Sequence, residues 1–182
     1  MASIINVDTI NEKTSGNGVT IPGHIINIQS VNFTGTQTST SSSFTDVTNL
    51  SITMTPKSAS SKFLLSCCVA TGSDSHFNYC RFVRNGTAIH LPDGSGSFSR
   101  STSSFSMSTD ITGSSAYHMA ILPAQHLDSP NTTSAVTYKI QMATRSDTSH
   151  SVHINRTHRD LNNAGGYDAR GVSTLTVMEI AQ

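Results

Sequence analysis

Leu50-Ser51-Ile52-Thr53-Met54-Thr55-Pro56 is the stretch on which the fold class turns. Three apolar side chains alternate with three hydroxyls, a period of two that places Leu50, Ile52 and Met54 on one side of an extended chain and the hydroxyls on the other. A helix would scatter both sets around its circumference. The stretch therefore predicts a strand with one buried and one wet face, stopped by Pro56, which has no N–H to give to a ladder.

The same reading extends in both directions. Lys62 to Ala70 (KFLLSCCVA) is apolar at nearly every position and predicts a central strand covered on both faces. Phe77 to Val83 and Thr87 to Leu91 flank Arg84-Asn85-Gly86, where Asn-Gly accepts positive φ at both central positions and predicts a tight hairpin. Val136, Tyr138, Ile140 and Met142 repeat the one-face-in pattern, and Val172 to Ile180 closes the chain with another strand. Ala116 to Leu122 predicts a strand that ends at Pro123, and Ser151 to Thr157 a further one. His24 to Thr34 is apolar at Ile26 and Ile28, then at Val31 and Phe33, a change of phase that predicts a bulge or bend between sheets. Ser39 to Ser43 and the tract from Pro92 to Ser108 read as loops.

Residues 1–23 differ from the rest. Ile4 to Ile10 could make one short strand, and then Thr14-Ser15-Gly16-Asn17-Gly18 and Pro22-Gly23 break the chain too often for a core to form. Two parts follow: an extended N-terminal arm or attachment segment over 1–23, and over 24–182 an all-β domain, an antiparallel β-sandwich of jelly-roll-like kind.

Composition narrows the function. Ser supplies 30 and Thr 24 of the 182 residues, only 22 residues are charged, and the formal net charge is zero. Phosphate neutralisation needs clustered Lys and Arg, which this chain does not have, so nucleic-acid binding through a basic surface is excluded. No stretch nears the roughly 20 apolar residues of a membrane helix, and MASIINVDTI lacks a signal peptide's basic region and long apolar run. We therefore expect synthesis in a cytoplasm and no membrane insertion. Cys67, Cys68 and Cys80 fit no disulfide framework and no metal-type pair, and predict reduced thiols with at least one buried.

Reactive constellations are not visible. Eight histidines are scattered with no HExxH; the densest group, His150, His153, Asn155, His158 and Asp160, would need a turn inside it to converge, although a symmetric oligomer could gather copies of one histidine at its axis. No GxSxG elbow is present, and Glu12 and Glu179 are the only glutamates. The expectation is no catalytic, cofactor-binding or metal residue. Arg156, Arg159 and Asp160 are candidate subunit contacts, because guanidinium groups on a charge-poor surface bridge chains through paired hydrogen bonds. Tyr117 and Tyr167 are the candidate receptor contacts, beside a loop over 93–108.

Phe44-Thr45-Asp46-Val47, Leu50 and Pro56-Lys57-Ser58-Ala59-Ser60-Ser61-Lys62 form F-x-D-V-x-x-L-x-x-x-x-x-P-K-S-x-x-S-K. With the Arg84-Asn85-Gly86-Thr87 turn, this resembles a pattern in virion proteins of tailed bacteriophages, particularly marine and cyanobacterial ones. Thr137 to Gln141, Ile154-Asn155-Arg156 and Ser173 to Ile180 resemble that group too, as do Val7 to Ile10 and Gly18 to Ile21. The resemblance implies a trimeric, jelly-roll-like component of the fibre, spike, knob or capsid-decoration kind, located in the virion and joined to other virion proteins through residues 1–23. A tip module that binds a host surface glycan or protein is the alternative, and a hydrolase on a β-sandwich a more distant one.

Overall fold

The computed structural model describes residues 7–11, 21–74, 77–93, 105–108, 117–144, 150–161 and 168–182. Eleven strands run through them: β1 (Ile25–Phe33), β2 (Gln37–Ser39), β3 (Thr45–Met54), β4 (Lys62–Ser73), β5 (Phe77–Arg84), β6 (Thr87–Ile89), β7 (Phe105–Ser108), β8 (Met119–Asp128), β9 (Val136–Ala143), β10 (Val152–Ile154) and β11 (Ser173–Ile180). All pairings are antiparallel. The first sheet runs β1-β11-β4-β10-β2, with β8 along the other edge of β4; the second runs β3-β9-β5-β6, with β7 also on β5. The chain is an all-β protein of two antiparallel sheets packed as a sandwich.

Alternation builds the core. Leu50, Ile52 and Met54 of β3 and Tyr138, Ile140 and Met142 of β9 are buried on the inner side of the second sheet. They meet Phe63, Leu65, Cys67 and Val69 of β4 and Leu175 and Val177 of β11. The Phe63 and Tyr138 rings lie 5.7 Å apart across the gap, tilted by 43°, within the range that favours aromatic pairs. At the rim the Tyr138 hydroxyl donates to Asp128 at 2.7 Å, and Arg84 Nη1 reaches both Asp128 oxygens at 2.7 and 2.9 Å, so three strands of two sheets share one buried carboxylate.

The hairpin forms where Asn-Gly predicts it: Asn85 and Gly86 have φ of 48° and 86°, and Arg84 pairs with Thr87. Several other expectations are corrected. Val7–Asn11 contain no strand, and residues 1–6 lie outside the described residues. The strand that was to stop at Pro123 runs on to Asp128. Proline is tolerated there because β8 is an edge strand, paired only with β4, so its nitrogen can face away from the ladder. The bulge of β1 lies between Ile25 and Asn27, and Ile28 simply points outward. Phe105–Ser108, read as loop, pairs with β5 as β7. Ser151 to Thr157 keeps only the three residues of β10 as strand. Finally, β4 is central, but over 62–68 it is covered on one face only, since Cys68 is exposed and Leu64 and Ser66 are half-buried, whereas every residue over 69–73 is buried.

Candidate functional site

Three places collect side chains that could carry a function. The first is the segment after β10. Asn155 turns the chain with φ 61° between His153 and His158 and so brings His158 back onto His153; Asp160 turns it again with φ 47° beyond them. The separation of His150 and His158 from His153 on an extended chain is thus undone for His158. His153 Nε2 lies 3.0 Å from His158 Nδ1 and 2.9 Å from the Ser151 hydroxyl, and its Nδ1 is 3.0 Å from the Thr38 hydroxyl. Burial, and then the charge of Arg156, push His153 down to about 4. Gly72 permits the approach of this segment to β4: a Cβ there would lie 2.3 Å from the Arg156 carbonyl oxygen.

The predicted subunit contacts sit in the same region, engaged within their own chain. Arg156 donates to the Thr157 and His158 carbonyls at 3.2 Å and to the Thr38 hydroxyl at 2.9 Å, and lies 3.3 Å from Asp160, which Arg170 meets from its other side. Arg159 Nε stands 3.7 Å from Asp168 Oδ2, and its guanidinium covers one face of the exposed Tyr117 ring at 5.0 Å. Tyr167 and most of the 93–108 loop lie outside the described residues. The cluster is rich in donors, yet among the described residues no three His, Cys, Asp or Glu side chains are placed to hold a metal ion.

The second place is the Asp128 rim, where the His90 and His126 rings stack 4.6 Å apart and His126 Nε2 lies 3.9 Å from Asp128. Burial, then His90, lowers the affinity of His126 for a proton. Asp128 is committed to Arg84 and Tyr138. The three thiols are free; burial pushes Cys67 up to about 12 and raises Cys80 as well, which leaves both inert as nucleophiles at neutral pH.

The third place is a whole surface, the outer side of the first sheet. Register sets its rows. Ile28, Met178, Leu64 and Leu127 stand side by side across β1, β11, β4 and β8. The next row is Ser30, Thr176, Ser66 and Gln125, where the Ser30 and Thr176 hydroxyls are 2.8 Å apart. Asn32, Thr174, Cys68 and Pro123 follow; beyond them Ile121 is exposed, while its partner Ala70 is buried beside Gly171. Ile28 is 57 % exposed, Ile121 55 % and Leu127 49 %. Ser66, Cys68, Pro123 and Gln125 also line an open depression of about 400 Å³. These rows contain no charged residue; Lys62, at the end of β4, stands just beyond them opposite Ile180.

The outer side of the second sheet is the opposite in character. There Asp46 accepts from Lys139 and Gln141, both at 2.7 Å, Arg81 donates to Gln141 at 2.8 Å, and the Arg81 guanidinium lies 4.1 Å from the Phe44 ring centre. Those hydrogen bonds hold the Asp46 carboxyl below the usual carboxylate range. Sequence reasoning missed the apolar face because it took the apolar run of β4 to be covered on both sides, because Ile28 and Ile121 fall in predicted strands with no sign of which side they face, and because the strand was expected to end at Pro123, before Leu127. Among the described residues no helix is long and apolar enough to cross a membrane. No protein-family model matches this chain, and no curated protein matches it.

Proposed function

We propose that the chain is a non-enzymatic structural protein of a tailed-phage virion, of the fibre, knob or capsid-decoration kind. It self-assembles, with three copies as the stoichiometry that the resemblance implies, and attaches to the particle through residues 1–23. One observation carries this reading. The segments that resemble the phage group are bonded to one another across the fold. Asp46 of the first motif holds Lys139 and Gln141 of the Thr137 to Gln141 motif. Asn85 of the hairpin accepts from Thr137 N–H at 2.8 Å and donates its own N–H to the Thr137 carbonyl. Lys57 N–H donates to Glu179 at 2.6 Å, joining the proline stop to the final strand, and Ser173 donates to Asn155 at 2.7 Å.

Polar residues that lock distant strands serve the fold as a unit, which supports reading the resembling segments together as one framework and not as separate turns. The strand order supports the jelly-roll reading: β1, β4, β8 and β11 lie in one sheet and β3, β5, β6 and β9 in the other, as a chain wrapped repeatedly across a sandwich would leave them. A body of this kind needs rigid sheets and a subunit interface, and no reactive centre.

The test is mass spectrometry of purified particles of the phage whose genome encodes the chain, with immunogold microscopy to place it. Peptides at a fixed ratio to the major capsid protein, and gold on the particle, are expected. A chain found only in the soluble lysate, absent from particles, would overturn the proposal.

A further inference from the structure

We infer that the outer face of the first sheet, the rows from Ile28-Met178-Leu64-Leu127 to Asn32-Thr174-Cys68-Pro123 with Ile121 beyond them, is the surface on which a second copy of this chain docks. The inference rests on the self-assembly reading above and says which face carries it. Four observations commit the face to a copy of the same chain.

Size comes first. Four strands about 4.8 Å apart and about nine residues long at 3.4 Å each span roughly 600 Å² in projection, and side chains standing on the pleat expose more than that. A standard interface takes about 800 Å² from each partner, the same order as this face.

Charge comes second. The rows hold no charged residue, Lys62 stands just beyond them opposite Ile180, and the whole chain is neutral, so two copies approach without repulsion and burial strands at most one charge at the rim. The other outer face, with Asp46, Lys139 and Arg81 engaged among themselves, has no comparable apolar area to bury.

The edge comes third. β1 and β8 are the edges that flank this face in the described sheet, and Pro123 at the middle of β8 removes a donor that strand addition there would use, which favours contact through the face on the β8 side. Hydroxyl and amide side chains in the central rows can pair across a dry contact, as Ser30 and Thr176 already do within the sheet.

The position of the arm comes last. Gly23 N–H donates to the Ala181 carbonyl and Ala181 N–H to the His24 carbonyl, so Gly23, the last residue of the proposed attachment segment, stands at the Ile25–Ile180 end, beside the most apolar row and next to the proposed contact.

The experiment uses the full chain at micromolar concentration. Molar mass by light scattering is compared for the wild type, the double variant L64E/L127E on the face, and T53E on the opposite sheet, with circular dichroism to establish that each is folded. The expected result is an oligomer for the wild type and T53E and a folded monomer for L64E/L127E. An L64E/L127E variant that keeps the wild-type mass overturns the choice of face and leaves self-assembly standing. A wild-type monomer overturns self-assembly and the face with it.

Should L64E/L127E fail to fold, Cys68 supplies a second readout in the wild type. It is the exposed thiol in the middle of the face, while Cys67 and Cys80 are buried. Alkylation of Cys68 by a maleimide is expected to be at least tenfold slower in the oligomer than in the monomer obtained by dilution. Equal rates in the two states would overturn the inference.

Discussion

At Asn155 one side chain does the work of a small hydrogen-bond network. Its φ of 61° is a left-handed conformation that asparagine tolerates better than most residues. Its amide donates to the Phe33 and Gly35 carbonyls at 2.6 and 2.8 Å and accepts from Ser173, joining β1, β10 and β11 in a fully buried position. Asn155→Ala should therefore lower unfolding free energy by about 3 kcal/mol in urea titration, since it strands buried partners and strains the backbone; a change within experimental error would contradict that role. The five Asn-x-Ser/Thr sequences of the chain gain a meaning here. Asn49, Asn85, Asn131 and Asn155 all take positive φ, so four of the five asparagines stand where the backbone turns left-handed. His153 supplies a second prediction. The unfolded chain takes up its proton near pH 6.5, whereas the folded chain keeps the ring neutral down to about 4, surrounded by His158 and Arg156, with Asp74 and Asp160 pulling the other way. Folded pKa below unfolded pKa means that stability is complete above pH 6.5 and declines as pH falls towards 4, with a slope of at most about 1.4 kcal/mol per pH unit. From pH 7 to 5 the wild type should lose about 2 kcal/mol more than H153Q, by urea titration at each pH; parallel losses would show that His153 is not the group responsible.

Elements were legible in proportion to how plainly their side chains alternate. β3, β9 and the β5–β6 hairpin stand where Leu50-Ile52-Met54, Val136 to Met142 and Asn85-Gly86 predict them, because each has one wet face or a turn that only certain residues can make. Strands whose two faces differ little in polarity were harder to read. In β1, Ile28 is apolar and outward while Val31 and Phe33 are inward, so sequence suggested an irregularity where the ladder is regular. In β8, Pro123 reads as a terminator, and only edge position makes it admissible. This assigns Pro123 a protective role that can be measured. Pro123→Val restores a donor on the open side of β8 and should leave the thermal midpoint nearly unchanged while raising light scattering and thioflavin T binding on prolonged incubation. A variant no more prone to aggregate than the wild type would show that the β8 edge is covered in some other way.

On the scale of the molecule, the two outer faces differ in character, one charged and one apolar. A zero net charge and a hydroxyl-rich composition were readable at once, but where the charges fall was not, because sheet register alone decides that Asp46, Lys139 and Arg81 share one face while Met178, Leu64 and Leu127 share the other. The candidate contacts Arg156 and Asp160 were found by residue type, and the structure holds them in a network with Arg170 inside the subunit. The apolar rows escaped notice because the side that Ile28 and Ile121 face is not settled until strands are laid side by side. The central claim is that this body completes its burial by joining copies of itself. Native mass spectrometry of the wild-type chain at micromolar concentration tests it most directly. The account predicts a species of about three times 19.3 kDa that survives transfer at low collision energy; a spectrum containing only the 19.3 kDa subunit would contradict it.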